Sequence, residues 1–147
     1  MYNKIKVSAC SNRGNLVAAR NINNFRLGVQ ATYPNGCPVT KVSNKLTDLA
    51  HIVPYAACES FEQDDPCNGI RLDMRIHRLW DSADNWLELH IIDTNSGTVE
   101  FRIPERHINN LEIINSVKDF INKPISGISI NTIKYISRRL IQDLNKF

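Results

Sequence analysis

The chain has 147 residues, a formal net charge of +3, 42% hydrophobic and 22% charged residues. That length and apolar share suit one globular domain with a real core. No stretch approaches a membrane span, and the opening MYNKIKVSAC lacks the apolar run of a secretory signal, so an intracellular protein, cytoplasmic or nuclear, is expected.

The net charge hides an uneven distribution. Residues 1–47 hold seven Lys or Arg and no acid, residues 48–100 hold three Arg against eleven acids, and residues 101–147 hold eight basic and four acidic residues. A basic first third beside an acidic centre suits a protein that grips phosphates, although a basic segment also serves simply for solubility. Asn and Ile are abundant, as in the AT-rich coding of some viruses.

In chain order, Lys4 to Val7 reads as a short strand and Ser11 to Gly14 as a turn. Asn23 or Asn24 could cap a helix from Phe25 to about Thr32, with Phe25, Val29 and Tyr33 on one side, and Pro34-Asn35-Gly36 ends it. Leu46 to Val53 reads as a strand broken by Pro54, Tyr55 to Cys67 as a polar loop, and Asn68-Gly69 as a turn. From Ile70 onward, Leu72, Ile76, Leu79, Trp80 and Ala83 recur at helical spacing and predict a helix with one buried stripe. Leu87 to Ile91 and Val99 to Ile103 alternate apolar and polar residues around Asp93–Thr98, which predicts a β-hairpin. Ile108 to Ile121 reads as a helix with Ile108, Leu111, Ile114, Val117 and Ile121 on one face, broken by Lys123-Pro124. Ser129 or Asn131 could cap a last helix to about Asn145, with Ile133, Ile136, Leu140 and Leu144 inward and Lys134, Arg138 and Arg139 outward. An exposed part of the Ile-rich stripe could also make a homodimer.

The cysteines Cys10, Cys37, Cys58 and Cys67 form no C-x-x-C pair. Reduced thiols are expected, Cys37 as a small packed residue, and the spacing matches no standard structural zinc pattern.

The chemistry-bearing stretch is Asp48 to Asp81. On the predicted helix His77 and Asp81 are four residues apart, on one face, where an imidazole and a carboxylate can chelate one divalent ion. Asp73, one turn earlier, could orient the imidazole. Arg71, Arg75 and Arg78 fall on the opposite flank, where they could meet phosphates. His51 could face the helix as a free base. Each residue also has a bland reading: a lone His at a strand end is often structural, Asp81 could pair with Arg78 or cap a turn, and the arginines could be a solvated face. His90 and His107 are read as structural.

Taken together, Ala50-His51-Ile52-x-Pro54, Asn68-Gly69-Ile70-x-Leu72 and His77-Arg78-Leu79-Trp80-Asp81 resemble the HNH endonuclease family, which has the ββα-metal nuclease fold. Cys37-Pro38-Val39-Thr40 resembles the start of that module, and the resemblance runs back to Asn24-Phe25-Arg26 and forward past Trp86. It implies that His51 is the general base, that Asn68 braces the loop and the base, and that His77 is a metal ligand with Asp81 a further one. Many members carry a metal-binding Asp just before the first histidine; here that position is Ala50. Arg26 joins Arg71, Arg75 and Arg78 as expected nucleic-acid contacts. The expectation is an α+β domain over residues 1–147: a ββα-metal core at about 37–103 with an added hairpin, a basic segment at 1–36 and helices at 108–147. Its expected activity is DNA endonuclease cleavage with Mg²⁺ or Mn²⁺. A non-catalytic DNA-binding or structural protein that keeps the fold, and an RNA-cutting toxin, are the competing readings.

Overall fold

In the computed structural model, residues 22–147 are described. The expected Lys4–Val7 strand and Ser11–Gly14 turn lie outside them, as do Cys10, Arg13 and Arg20.

The helix foreseen near Phe25 is α1, Ile22–Thr32. Phe25 and Val29, one turn apart, are buried on one side of it, and Tyr33 extends that side. After the turn at Gly36, Cys37 donates its backbone N–H to Val42 O at 2.8 Å, and its buried free thiol packs in the core.

Strand β1, Thr47–His51, pairs antiparallel with β2, Gly69–Asp73, so that His51 lies opposite Gly69 and Thr47 opposite Asp73. The expected strand Leu46–Val53 is therefore trimmed at both ends. Between the strands, the loop carries one helical turn, α2, Ser60–Gln63, closed by a Glu59–Glu62 capping box, and a tighter turn at Pro66–Asn68.

The helix expected from Ile70 begins only at Met74. Helix α3 is Met74–Trp80, and all five residues before it are buried in β2. Ile70 and Leu72 satisfy a period of two as well as a helical stripe, and the partner strand β1 decides between them. Asp73 then starts α3: its side chain accepts the Arg75 backbone N–H at 2.9 Å, as an N-cap. The turn expected at Asn68-Gly69 is the tight turn Pro66–Asn68, and Gly69 is the entry to β2. Gly69 lets α1 approach closely, because a Cβ there would lie 2.3 Å from Val29 Cγ2 and 2.8 Å from the Phe25 ring. Gly69→Ala is expected to cost about 1–3 kcal/mol through overpacking; urea melts that match wild type would show that α1 can retreat freely.

The predicted hairpin is present as β3, Glu88–Asp93, and β4, Thr98–Arg102, with Leu89 opposite Phe101 and an irregularity between Ile91 and Asp93. The buried Trp80 ring meets Phe101 edge-on at 5.4 Å, joining α3 to the hairpin.

Both tail helices are present, the first trimmed at both ends from the expected Ile108–Ile121, and each shows part of the expected inner face to solvent. Helix α4 is Leu111–Val117, started by Asn110, whose side chain accepts from Ile113 N; Ile113 and Val117 are buried while Ile108 and Leu111 are exposed. Helix α5, Ile130–Asn145, is capped by Ser129 and packs on β3. Ile133 and Ile136 face inward as expected, but Leu144 is exposed and Arg139 and Asp143 take the inner face instead. The expectation of an outward Arg139 is thus overturned: polar acceptors, not an apolar wall, meet that end of α5. Among the described residues no helix is long and apolar enough to cross a membrane.

Candidate functional site

His51 ends β1. Its ring stacks flat on Phe25, with centroids 4.0 Å apart and planes 5° from parallel, and Tyr55 meets it edge-on. Nε2 lies 2.7 Å from the Gln63 carbonyl oxygen. A carbonyl can only accept, so Nε2 carries a proton, and in the neutral ring the lone pair is on Nδ1. The ring is held by these contacts.

Asn68 is fully buried and ties the chain just beyond His51 to the loop. Its Oδ1 accepts Val53 N–H at 2.8 Å, and its Nδ2 donates to Val53 O and Glu62 O. Its backbone oxygen also takes Ile52 N–H at 3.0 Å. An uncompensated buried amide is costly, so this set of bonds makes the position demanding.

His77 on α3 lies between two carboxylates. Nδ1 is 2.9 Å from Asp48 Oδ2, and Nε2 is 2.8 Å from Asp81 Oδ2. The bond to Asp81 raises the imidazole above the usual histidine range; burial opposes this and Asp48 adds to it. Burial pushes the Asp81 carboxyl up, but His77 and Arg139 outweigh it and hold it below the usual range. Asp73 does not orient His77. It caps α3 and binds Arg75 and Thr40, and Arg75 chiefly holds its carboxyl low.

Two residues of this site reach it from far along the chain. Asp48 is 29 positions from His77, and Arg139 is 58 from Asp81. The buried Arg139 donates from Nη1 to Ile52 O at 3.1 Å, and from Nη2 to Trp80 O at 2.7 Å and Asp81 Oδ1 at 3.1 Å. Its Nε reaches Asp143, and its guanidinium lies 4.2 Å from the Trp80 ring centroid. It therefore ties the residue after His51 to the end of α3. The i, i+4 spacing of Arg139 and Asp143 was the one readable hint.

His51, His77 and Asp81 line one cleft of about 520 Å³, which Arg139 and Lys146 also line. His77 also lines a neighbouring cleft of about 720 Å³, with Asp48, Arg26, Lys45 and Arg71. Arg71 lies on β2 rather than on a helix, where it donates to Thr47 Oγ1 and Tyr33 O, so the flank of three helical arginines does not form. Arg75 pairs with Asp73 and lies over Phe120, and Arg78 is exposed; neither lines these two clefts.

Among the described residues no group of three or more His, Cys, Asp or Glu is placed to hold a metal ion. The two groups that could hold such an ion are His77 Nε2 and Asp81 Oδ2, 2.8 Å apart. A small hard cation that keeps several waters and takes one or two protein ligands plus phosphate fits a pair of that kind. Cys37 and Cys58 are free, whereas Cys67 is disulfide-bonded, against the expectation of reduced thiols.

Residues 37–85 match the family model described as HNH endonuclease, a stretch that spans β1, β2 and α3. Over those residues, a third of its length, the chain is similar to HNH endonucleases, and the stretch is set in a mixed α+β fold. No curated protein matches the chain. The family is one of nucleases, which supports a hydrolase role. Arg139 lies outside the matched stretch.

Proposed function

We propose that the protein is a divalent-metal-dependent DNA endonuclease with a ββα-metal core formed by β1, β2 and α3. The observation that carries this reading is the single cleft lined by His51, His77 and Asp81, with the Gln63 carbonyl taking His51 at Nε2 rather than at Nδ1.

In this reading His51 Nδ1 takes the proton from a water aligned on phosphorus, while the Gln63 carbonyl and the Phe25 stack keep the ring aimed. Asn68 holds the strand end so that the ring does not swing. His77 Nε2 and Asp81 Oδ2 would hold Mg²⁺ or Mn²⁺, and Nε2 must first release the proton it shares with Asp81. Such an ion, when bound, polarises the phosphate and stabilises the leaving oxygen. Arg139 engages Asp81 through Oδ1 and leaves Oδ2 to that seat. Arg26, Lys45 and Arg71 in the adjoining cleft would take flanking phosphates of the strand.

The test is supercoiled plasmid incubated with Mg²⁺ or Mn²⁺ and then with EDTA, beside an RNA substrate. Metal-dependent nicking of the plasmid that EDTA stops is expected. Calorimetry should show one divalent ion bound by wild type and sharply weakened binding in His77→Ala and Asp81→Ala; wild-type binding in both variants rules out this seat.

A non-catalytic DNA-binding reading draws on one observation: both nitrogens of His77 already face carboxylates, a closed ion network that needs no metal. It predicts a gel shift without nicking in the presence of Mg²⁺, Mn²⁺, Ca²⁺, Ni²⁺ or Zn²⁺.

A further inference from the structure

Asp48 reaches His77 from the side opposite Asp81. Its Oδ2 lies 2.9 Å from Nδ1, while Asp81 Oδ2 lies 2.8 Å from Nε2. The two nitrogens also serve different spaces. Asp81 lines the cleft that holds His51; Asp48 lines the neighbouring one, with Arg26, Lys45 and Arg71, and does not line the first. A cation that is to meet a water held by His51 must therefore sit on the Nε2 side. Nδ1 must then keep its hydrogen, and an acceptor on that side holds it and raises the donor strength of the ring.

We infer that Asp48 is the positioning residue of the metal seat: by accepting His77 Nδ1–H it fixes the ring so that Nε2 faces the His51 cleft beside Asp81. The inference rests on the reading of His77 and Asp81 as the seat. Asp48 stands in β1 two residues before Ala50, and it supplies from the strand a carboxylate that Ala50 cannot. It is not itself a ligand, since the ring of His77 separates it from the cleft that holds Asp81 and His51.

The test is Mn²⁺ titration of the full chain in wild type, Asp48→Ala, Asp48→Asn and Asp81→Ala, with NMR of His77 in the Mg²⁺-loaded protein. Losing the acceptor in Asp48→Ala should weaken Mn²⁺ about 10–100-fold. Asp48→Asn keeps an oxygen that can take Nδ1–H and should fall between Asp48→Ala and wild type. Loaded wild type should show a His77 Nδ1–H resonance protected from water, and Asp48→Ala should lose that protection. Far-ultraviolet circular dichroism of both Asp48 variants checks that β1 and β2 are intact; if the alanine variant unfolds, the asparagine variant and the resonance assignment carry the decision. Wild-type Mn²⁺ affinity in a folded Asp48→Ala, or a loaded ring protonated at Nε2, overturns the inference while leaving the seat standing. Wild type that takes up no Mn²⁺ overturns the seat itself, and the inference with it.

Discussion

His51→Ala is expected to lower plasmid cleavage by ~10²–10⁴-fold, the usual contribution of a general base, while leaving DNA affinity nearly intact. The base acts on water, and the only hydrogen bond that the removed ring makes among the described residues is to Gln63 O. On the proposed reading, affinity for the strand comes instead from cationic side chains on phosphates, which the substitution does not touch. His77→Ala should behave differently and lose both turnover and metal-dependent affinity. Nicking run beside a gel-shift titration at one salt concentration separates the two patterns. If His51→Ala cuts as fast as wild type, the base lies elsewhere and the cleft has been misread.

The largest effect on stability is expected at Arg139. Arg139→Met removes the guanidinium that satisfies Asp143, Ile52 O, Trp80 O and Asp81. Asp143 is buried, and burial already pushes its carboxyl up despite Arg139 beside it. Breaking a buried pair by removing one partner costs about 3–5 kcal/mol, because a charge is left without compensation. Pairing Arg139→Met with Asp143→Leu should recover most of that loss, since a well-packed apolar pair is often no worse than the buried ions. Urea denaturation of the two single variants and the double variant measures both statements. A loss below about 1 kcal/mol in Arg139→Met would show that water replaces the guanidinium at no great cost. The functional consequence is that α5, far from the matched stretch in sequence, belongs to the site: a variant rescued for stability should still misplace Asp81, which the double substitution does not re-bond.

The elements that were legible share one property, which is that their signal is local. The hairpin follows from alternation on either side of Asp93–Thr98, and it is present with Leu89 facing Phe101. Helix α1 follows from Phe25 and Val29 at helical spacing. His77 and Asp81, one turn apart, do meet at 2.8 Å, although Asp81 follows the last residue of a shorter helix than expected. In α4 Val117 faces inward as expected, but Asn110 caps the helix at Leu111 and turns Ile113 inward in place of Ile108 and Leu111, a choice among Ile-rich registers that spacing alone leaves open.

The sequence by itself determined the order of the motifs, the i, i+4 pair and the α+β class, because each depends on neighbours within a turn or a strand; the base and brace candidates came with the family resemblance those motifs carry. Only the tertiary structure decided that Ile70–Asp73 is a strand, that Asp48 rather than Asp73 faces His77, and that Arg139 is buried against the end of α3 rather than solvated. The physical reason is the same in all three cases. A short apolar run satisfies a period of two and a period of 3.6 equally well until a partner strand supplies its hydrogen bonds. Likewise, a charged side chain has no preferred direction until acceptors from distant segments, here Ile52 O, Trp80 O and Asp81, converge on it and replace the water it would otherwise keep.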